Sequence, residues 1–531
     1  MRRILAIGSR PDRAPLPDLR LHPWAPHLFP VQVQALQEMR DSVAPRGVVL
    51  MIIAGGGKTL IGGLAGRIMQ CRKPLMIVPS SLIAQTEQRL TEWSEHYPID
   101  PRPVVIGYGA LSAKKGRQIL ADLEPDLIIL DEAHRIRSRD SARTKRLMSY
   151  AKAHEATRWV VMSGTLIAKT AVDWLIPGML ALREGVPLPL HHLDVLAWER
   201  ATVAPKPGEI VRFADVESLA PLRKAVGIKA KPGIDGHIQA NRQAVHRLIE
   251  GTPGIVVSRD AVCGAPLRLR WLDFPTVCRD QLAKLEEQWE LPDGSEIVQA
   301  SDMARAREQL ALGYYLRWTE AVDGSWREAR REWHRCVRGA LRLATDKSVD
   351  TPGLLAEAAA NGQASRAIVK AWHAYQAEGG DSIRPPTAAI WLDHSAMDYL
   401  TKWALDFGPD LVTWVRSVAI QEALASRGLP VYGAGSSVPR EIGALPVVLS
   451  SQSFGEGTEL QHYASQIIVE PPRSASPWEQ LLGRLHRPGQ KADEVEVFLR
   501  SHHKGLLHRV KQEAIALADL TGSKQRLQIL E

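Results

Sequence analysis

The stretch that decides the fold is Met51-Ile-Ile-Ala-Gly-Gly-Gly-Lys-Thr59. An apolar run, Val48 to Ile53, leads into it and reads as a buried strand of a parallel sheet. Three glycines follow, then Lys58 and Thr59, then an apolar helical pattern from Leu60 to Met69. Strand, glycine loop and helix in that order make a phosphate cradle. Glycines let successive backbone N–H groups turn toward an anion, and the helix N-terminus adds its positive end. Gly55, Gly56 and Gly57 would line the cradle, Lys58 would reach the β- and γ-phosphates, and the Thr59 hydroxyl would bind Mg²⁺. A glycine-rich turn before an ordinary helix has similar composition, but the Lys-Thr pair directly after the glycines favours phosphate. One departure stands out: Ile52 occupies the position where the general pattern wants glycine.

Downstream, Asp126-Leu-Ile-Ile-Leu-Asp-Glu-Ala-His134 reads as a central strand, Leu127–Leu130, that delivers Asp131 and Glu132 to the carboxyl edge of the sheet. Ligands of open α/β sheets bind at that edge. Asp131 suits Mg²⁺ through water, since hard cations want oxygen ligands. Glu132 suits the orientation or deprotonation of an attacking water, and His134 suits coupling. Two acids at a strand end also cap helices; the phosphate loop upstream argues for chemistry. Leu75–Val78 and Trp159–Met162 are further strands. Hydroxyls after them, Ser80 and Ser81, then Ser163-Gly-Thr165, suit a nucleic-acid phosphate contact and a hinge, or equally a helix cap and a plain turn. Upstream, Leu28-Phe-Pro-Val-Gln-Val-Gln34 opens a helix over Val31–Met39, with Pro near its first turn. The amide of Gln32 there can pair with an adenine edge.

The bulk numbers bound the rest. At 531 residues the chain holds several domain-sized units, and 45% apolar residues are ample for their cores. A net charge of +8 and a pI near 9.3 fit a polyanionic partner, although charge alone fits a simply basic protein as well. Cys71, Cys263, Cys278 and Cys336 lie far apart, which disfavours a zinc site or a disulfide framework and suits a reducing compartment. The apolar run near Met1 is too short for a signal peptide and no run is long enough to span a membrane, so a cytoplasmic protein without a membrane partner is expected.

Residues 8–26, rich in Pro, Arg and Asp, read as an irregular leader, and Pro and Gly punctuate 177–235. Gly254–Val257 resembles a strand. From Gln281 to Leu343 the composition is helical, and Trp318, Trp326 and Trp333 recur at helical spacing among arginines. They suit core packing with a solvated arginine face, ahead of base stacking. A second α/β pattern begins near Thr387, with strands at Leu411–Val415, Pro430–Tyr432, Val447–Leu449 and Gln466–Val469. Ser453-Phe-Gly-Glu-Gly-Thr-Glu-Leu-Gln461 is a glycine loop after a strand. In Gln480-Leu-Leu-Gly-Arg-Leu-His-Arg-Pro-Gly-Gln490, Arg484 and Arg487 are spaced to share one helix face. Two guanidiniums on one face want an anion, and a γ-phosphate would supply it.

Gly55-Gly-Gly-Lys-Thr59, Asp131-Glu-Ala-His134, Ser163-Gly-Thr165, Gly455-Glu-Gly-Thr458 and Gln480…Arg484…Arg487…Gln490 occur in the order seen in superfamily-2 helicases. The QLLGRLHRPGQ, DEAHRIRS and Leu28–Gln32 segments resemble the Swi/Snf-like, DEAH-motif branch in particular. The likeness covers about residues 28–175 and 386–500 and suggests a compact bacterial or phage motor. It implies an α/β fold of two RecA-like parallel-sheet lobes with a helical insertion between them. The expected division is a leader at 1–27, lobe 1 at 28–200, a linker and helical insertion at 201–385, lobe 2 at 386–500 and a C-terminal helix at 501–531. The resemblance implies ATP and Mg²⁺ as cofactors and double-stranded DNA as partner. Gln32, Gly55, Gly56, Gly57, Lys58, Thr59, Gly457 and Gln480 would bind the nucleotide, and Thr59 and Asp131 the metal. Asp131, Glu132, Lys58, Arg484 and Arg487 would be catalytic. Leu166 departs from the family's usual proline, and the segment 201–385 matches nothing in the family, leaving room for a protein partner. Two alternatives stay open: an RNA-directed helicase, and a nucleic-acid-binding scaffold with a degenerate ATP site.

Overall fold

The computed structural model describes the chain except residues 2, 5–26, 42–45, 54, 114, 204–211, 259–262, 289, 295–299, 320–322, 344–351, 384–385, 440 and 456. The expected leader at 8–26 therefore lies outside the described residues. The chain divides into two compact units. The first is Met1–Gly264 with Ser474–Glu479 and Val510–Ile529; the second is Ala265–Arg473 with Gln480–Arg509 and Leu530–Glu531.

The first unit is built on six strands: β1 (Gly47–Met51), β2 (Pro74–Val78), β3 (Val104–Gly107), β4 (Leu127–Leu130), β5 (Arg158–Met162) and β6 (Ile255–Val257). Their order is β3-β2-β4-β5-β1-β6, and every pairing is parallel. β1, β2 and β4 are buried at every residue. Helices cover both faces of such a sheet, which is why these strands read as unbroken apolar runs and not as alternations. Leu36 and Met39 of the helix Pro30–Asp41, with Ile61 and Leu64 of the helix Lys58–Ile68, pack against Val48, Leu50, Ile129 and Met162.

The second unit carries β7 (Leu267–Leu272), β8 (Tyr314–Trp318), β9 (Thr387–Trp391), β10 (Leu411–Val415), β11 (Val431–Tyr432), β12 (Val447–Ser450), β13 (Ser465–Ile468) and β14 (Val495–Arg500). Six of them form a parallel sheet in the order β11-β12-β10-β13-β14-β7, while β8 and β9 pair antiparallel as a separate ribbon. Two six-stranded parallel sheets dressed with helices are two RecA-like lobes, the expected fold class.

Three details differ from the sequence reading. The segment 201–385 is not only helical: besides the strand read at Gly254–Val257, which is β6 of the first sheet, it gives β7 to the second sheet and β8 to the ribbon. β6 is only three residues long, and β7 alternates leucine with arginine because its arginines reach solvent. There Arg268 pairs with Glu531 at 2.6 Å and Arg270 with Glu496 at 2.9 Å. Second, Thr387 begins β9, the second strand of the ribbon, and not a strand of the parallel sheet, whose first strand in chain order is β7. Third, Trp318 lies on β8 and not on a helix with Trp326 and Trp333. Those two belong to the helix Gly324–Leu343 and are buried against Leu355, Ala371 and Tyr375 in a small helical core. Their role is packing, and Arg330 lies over the Trp326 ring at 5.5 Å.

Candidate functional site

In the first unit, β4, β5 and β1 are neighbours, so their carboxyl ends stand side by side at strand spacing. Asp131 and Glu132 follow β4, Ser163 follows β5, and the glycine loop follows β1. The sequence thus brings three separate segments to one sheet edge.

The loop has the backbone of an anion cradle. Gly55 (φ 92°) and Gly57 (φ 74°) adopt left-handed conformations that a side chain would strain. A Cβ on Gly57 would also collide with the Gln32 side-chain nitrogen, and one on Gly56 with the Ile52 side chain. Ile52, the departure from pattern, is buried and forms an apolar floor beneath the loop. Lys58 opens the following helix. Its ammonium donates to the carbonyls of Ile52 (3.2 Å) and Ile53 (3.5 Å) and stands 3.6 Å from Glu132 Oε1. Thr59, half-buried, is the next residue of that helix. Gln32 is buried beside the loop. Its Oε1 accepts from Phe29 N at 2.7 Å and its Nε2 donates to Gly57 O at 3.4 Å.

The acids are constrained in different ways. Asp131 is buried, and its Oδ1 accepts the Glu132 N–H at 3.0 Å. Burial, then the adjacent Glu132 charge, push its carboxyl up to about 6, against the pull of Lys58. Glu132 has left-handed backbone (φ 51°, ψ 50°), an arrangement costing roughly 1–2 kcal/mol for a residue with a side chain. Such strain persists where the surroundings fix it, commonly at working sites. Here the Glu132 side chain is held: Oε2 accepts from Ser163 Oγ at 3.1 Å and lies 3.3 Å from His134 Nδ1. His134 Nδ1 also meets Ser163 Oγ and Thr165 Oγ1, each at 3.2 Å. The hydroxyls expected to form a hinge therefore tie the acid motif to the end of β5.

Tyr108 was not singled out by sequence. It is buried, and its hydroxyl donates to Asp131 O at 2.9 Å, fixing the turn that carries both acids. A single tyrosine after a strand carries no signal that would have found it.

Among the described residues no cluster of three or more His, Cys, Asp or Glu could hold a metal. A cation beside Thr59 and Asp131 would keep water and phosphate oxygens as ligands, the habit of Mg²⁺. The left-handed glycines, the buried lysine and the raised carboxyl fit a magnesium–triphosphate group.

In the second unit the structure brings together Gly457, Thr458, Glu459, Gln480, Arg484 and Arg487. The helix Ala475–Leu485 ends before Arg487, so the two arginines do not share a helix face. Pro488 and Gly489 draw the chain out of the helix early, yet both guanidiniums still converge. Arg484 Nη1 donates to Thr458 O at 3.2 Å and Arg487 Nη1 to the same oxygen at 3.4 Å. Arg484 is buried, and its Nε also donates to Gln480 O at 2.9 Å. Arg487 is more open and pairs with Glu459 at 3.0 Å. Gly457 (φ 80°) bends the loop that presents Thr458.

No helix among the described residues is long and apolar enough to cross a membrane. No curated protein matches the chain. Residues 25–168 match the family model described as "Type III restriction enzyme, res subunit". That match covers Gln32, the glycine loop, Asp131, Glu132 and Ser163. This segment is similar to a superfamily-2 helicase-like ATPase domain, and the similarity supports ATP hydrolysis and nucleic-acid motor activity as the broad class of function.

Proposed function

We propose that the chain is an ATP-dependent translocase or helicase of the Swi/Snf-like branch, acting on duplex DNA or its complexes. The observation that carries this reading is Glu132, a carboxylate on strained backbone, 3.6 Å from Lys58 and oriented by Ser163. An acid held at the head of a glycine loop suits the activation of water. ATP supplies a phosphoryl group whose transfer to water spreads negative charge over its oxygens. Gly55, Gly56, Gly57 and Lys58 hold the phosphates in this proposal, while Thr59 and Asp131 keep Mg²⁺ against them. Gln32 reads adenine, and Gly457 and Gln480 contact the nucleotide. Glu132 orients the water and takes its proton, and Arg484 and Arg487 bring positive charge to the transferred group. The Swi/Snf-like motifs QLLGRLHRPGQ and DEAHRIRS support duplex DNA as substrate, and the net charge of +8 is consistent with it.

The test is ATP turnover measured without nucleic acid, with duplex DNA and with RNA at matched salt. Stimulation by DNA is expected. Absence of turnover in all three conditions would reject the motor in favour of a scaffold, and stimulation by RNA alone would reassign the substrate.

A further inference from the structure

The first unit has a second concave site, away from the glycine loop in sequence. A groove of about 750 Å³ lies among the helices Phe213–Glu217, Ala220–Ala225 and Ile234–Gly251 and the loop that joins the last two. This volume is in the range of small-ligand sites.

Its floor is rigid for a reason visible in the hydrogen bonds. Arg223 is buried, and its guanidinium donates to Glu217 Oε1 and to Asn241 Oδ1, both at 2.6 Å. Asn241 in turn donates to Ala201 O (2.8 Å) and Val216 O (2.9 Å). One guanidinium and one amide thus pin together the helices that frame the groove. Among the described residues Glu217 is the only acid in the lining, and it is already met by Arg223 and by His237 Nε2 at 3.1 Å.

What remains for a ligand is cationic and aromatic. Lys224 and Lys229 line the groove with exposed side chains, and no ion pair among the described residues engages either. Phe213 stands at the lip, 53% exposed, with its ring steadied edge-to-face by His237 at 4.9 Å. A large ring left in water beside two open ammonium groups suits a flat π-face with phosphates attached. Ala220, Ile228 and Ala230 give the wall an apolar surface.

We propose that this groove binds a short stretch of single-stranded nucleic acid, one base stacked on Phe213 and its flanking phosphates on Lys224 and Lys229. The proposal rests on the nucleic-acid motor reading and adds a contact point outside its motifs. It makes Phe213 a stacking platform and the lysine pair an electrostatic clamp.

The test is fluorescence anisotropy of a labelled oligothymidylate across a salt series, using the full chain, Phe213→Ala, and the double variant Lys224→Ala/Lys229→Ala. All three side chains are solvent-facing, so thermal unfolding should stay unchanged, and so should ATP turnover without nucleic acid. Removing the ring should weaken binding roughly tenfold to a hundredfold. Removing both lysines should flatten the slope of log affinity against log salt by about 1.4, the share of two phosphates on a single strand. Tight binding by the parent with unchanged affinity and slope in both variants would overturn the groove and leave the motor standing. Failure of the parent to bind any nucleic acid, with no stimulated turnover, would overturn both. Variants that keep oligothymidylate but lose polyglutamate would overturn it in favour of an acidic protein segment.

Discussion

Ser163 Oγ donates to Glu132 Oε2 across 3.1 Å, joining the end of β5 to the acid at the end of β4. A hydrogen bond to a charged group is worth about 1.5–3 kcal/mol. Ser163→Ala should therefore lower kcat for ATP by about tenfold to a hundredfold, with KM little changed, because the bond orients the base and not the nucleotide. Steady-state kinetics check it; a change confined to KM would contradict the assignment.

Lys58 holds the carbonyls of Ile52 and Ile53 and faces Glu132. Lys58→Ala should abolish turnover while the circular dichroism spectrum and unfolding midpoint stay close to the parent's. Retained hydrolysis would remove the glycine loop from the mechanism.

Asp131 gives a pH-dependent outcome. Its carboxyl sits at about 6 in the folded chain, raised first by burial and then by Glu132, against about 3.9 for a free aspartate. The folded state thus binds the proton more tightly. Stability is full below about 4 and is lost as pH rises through about 6, by up to roughly 3 kcal/mol. Asp131→Asn removes the charge and keeps an oxygen for the Glu132 N–H. In chelator it should melt higher than the parent at pH 8, with the gain shrinking toward pH 5. An equal gain at both pH values would show that ionisation is not the cause. Turnover should be lost throughout.

Arg484 and Arg487 share the Thr458 carbonyl but differ in burial. Arg487→Ala should cut kcat by about 10³ or more if it meets the transferred phosphoryl group, with little change in unfolding. Arg484→Ala should lower the unfolding midpoint as well, since the carbonyls of Thr458 and Gln480 lose a buried donor. Near-normal turnover in Arg487→Ala would exclude it from the reaction.

Arg526 and Glu479 form a buried ion pair within the first unit, and Glu479 also accepts the Arg526 N–H at 2.6 Å. Arg526→Met strands a buried carboxylate and should cost about 3–5 kcal/mol in denaturant unfolding. The double variant with Glu479→Gln should recover much of that loss. Equal losses would show that the charge pairing is not what matters.

Legibility followed burial. β1, β2 and β4, apolar at nearly every position, stood out because helices bury both their faces. β3 and β7 did not. β3 lies at the sheet edge with Val104 exposed, and β7 carries Arg268 and Arg270 in its middle. Charged residues are tolerated on edge strands, so these two resemble loops, and the central strand β14 escaped as well because Glu496 interrupts its apolar run. At the site, the glycine loop and the acid pair were readable because their chemistry demands adjacent residues. The Ser163–Glu132 bond and the Tyr108 anchor join residues tens of positions apart, and spacing along the chain carries no trace of them. Arg487 shared a helix face with Arg484 only on paper, because Pro488 ends the helix sooner than the arginine spacing suggests.

β6 pairs with the free side of β1, about two hundred residues after it. A fragment cut soon after Ala168, where the family likeness stops, would keep the glycine loop yet bare a Gly-Val-Val-Leu-Met edge with unsatisfied amides, an invitation to stick to itself. Anyone isolating the nucleotide half for crystallisation or binding work should carry the polypeptide past Val257, since the molecule closes its own seam from far downstream.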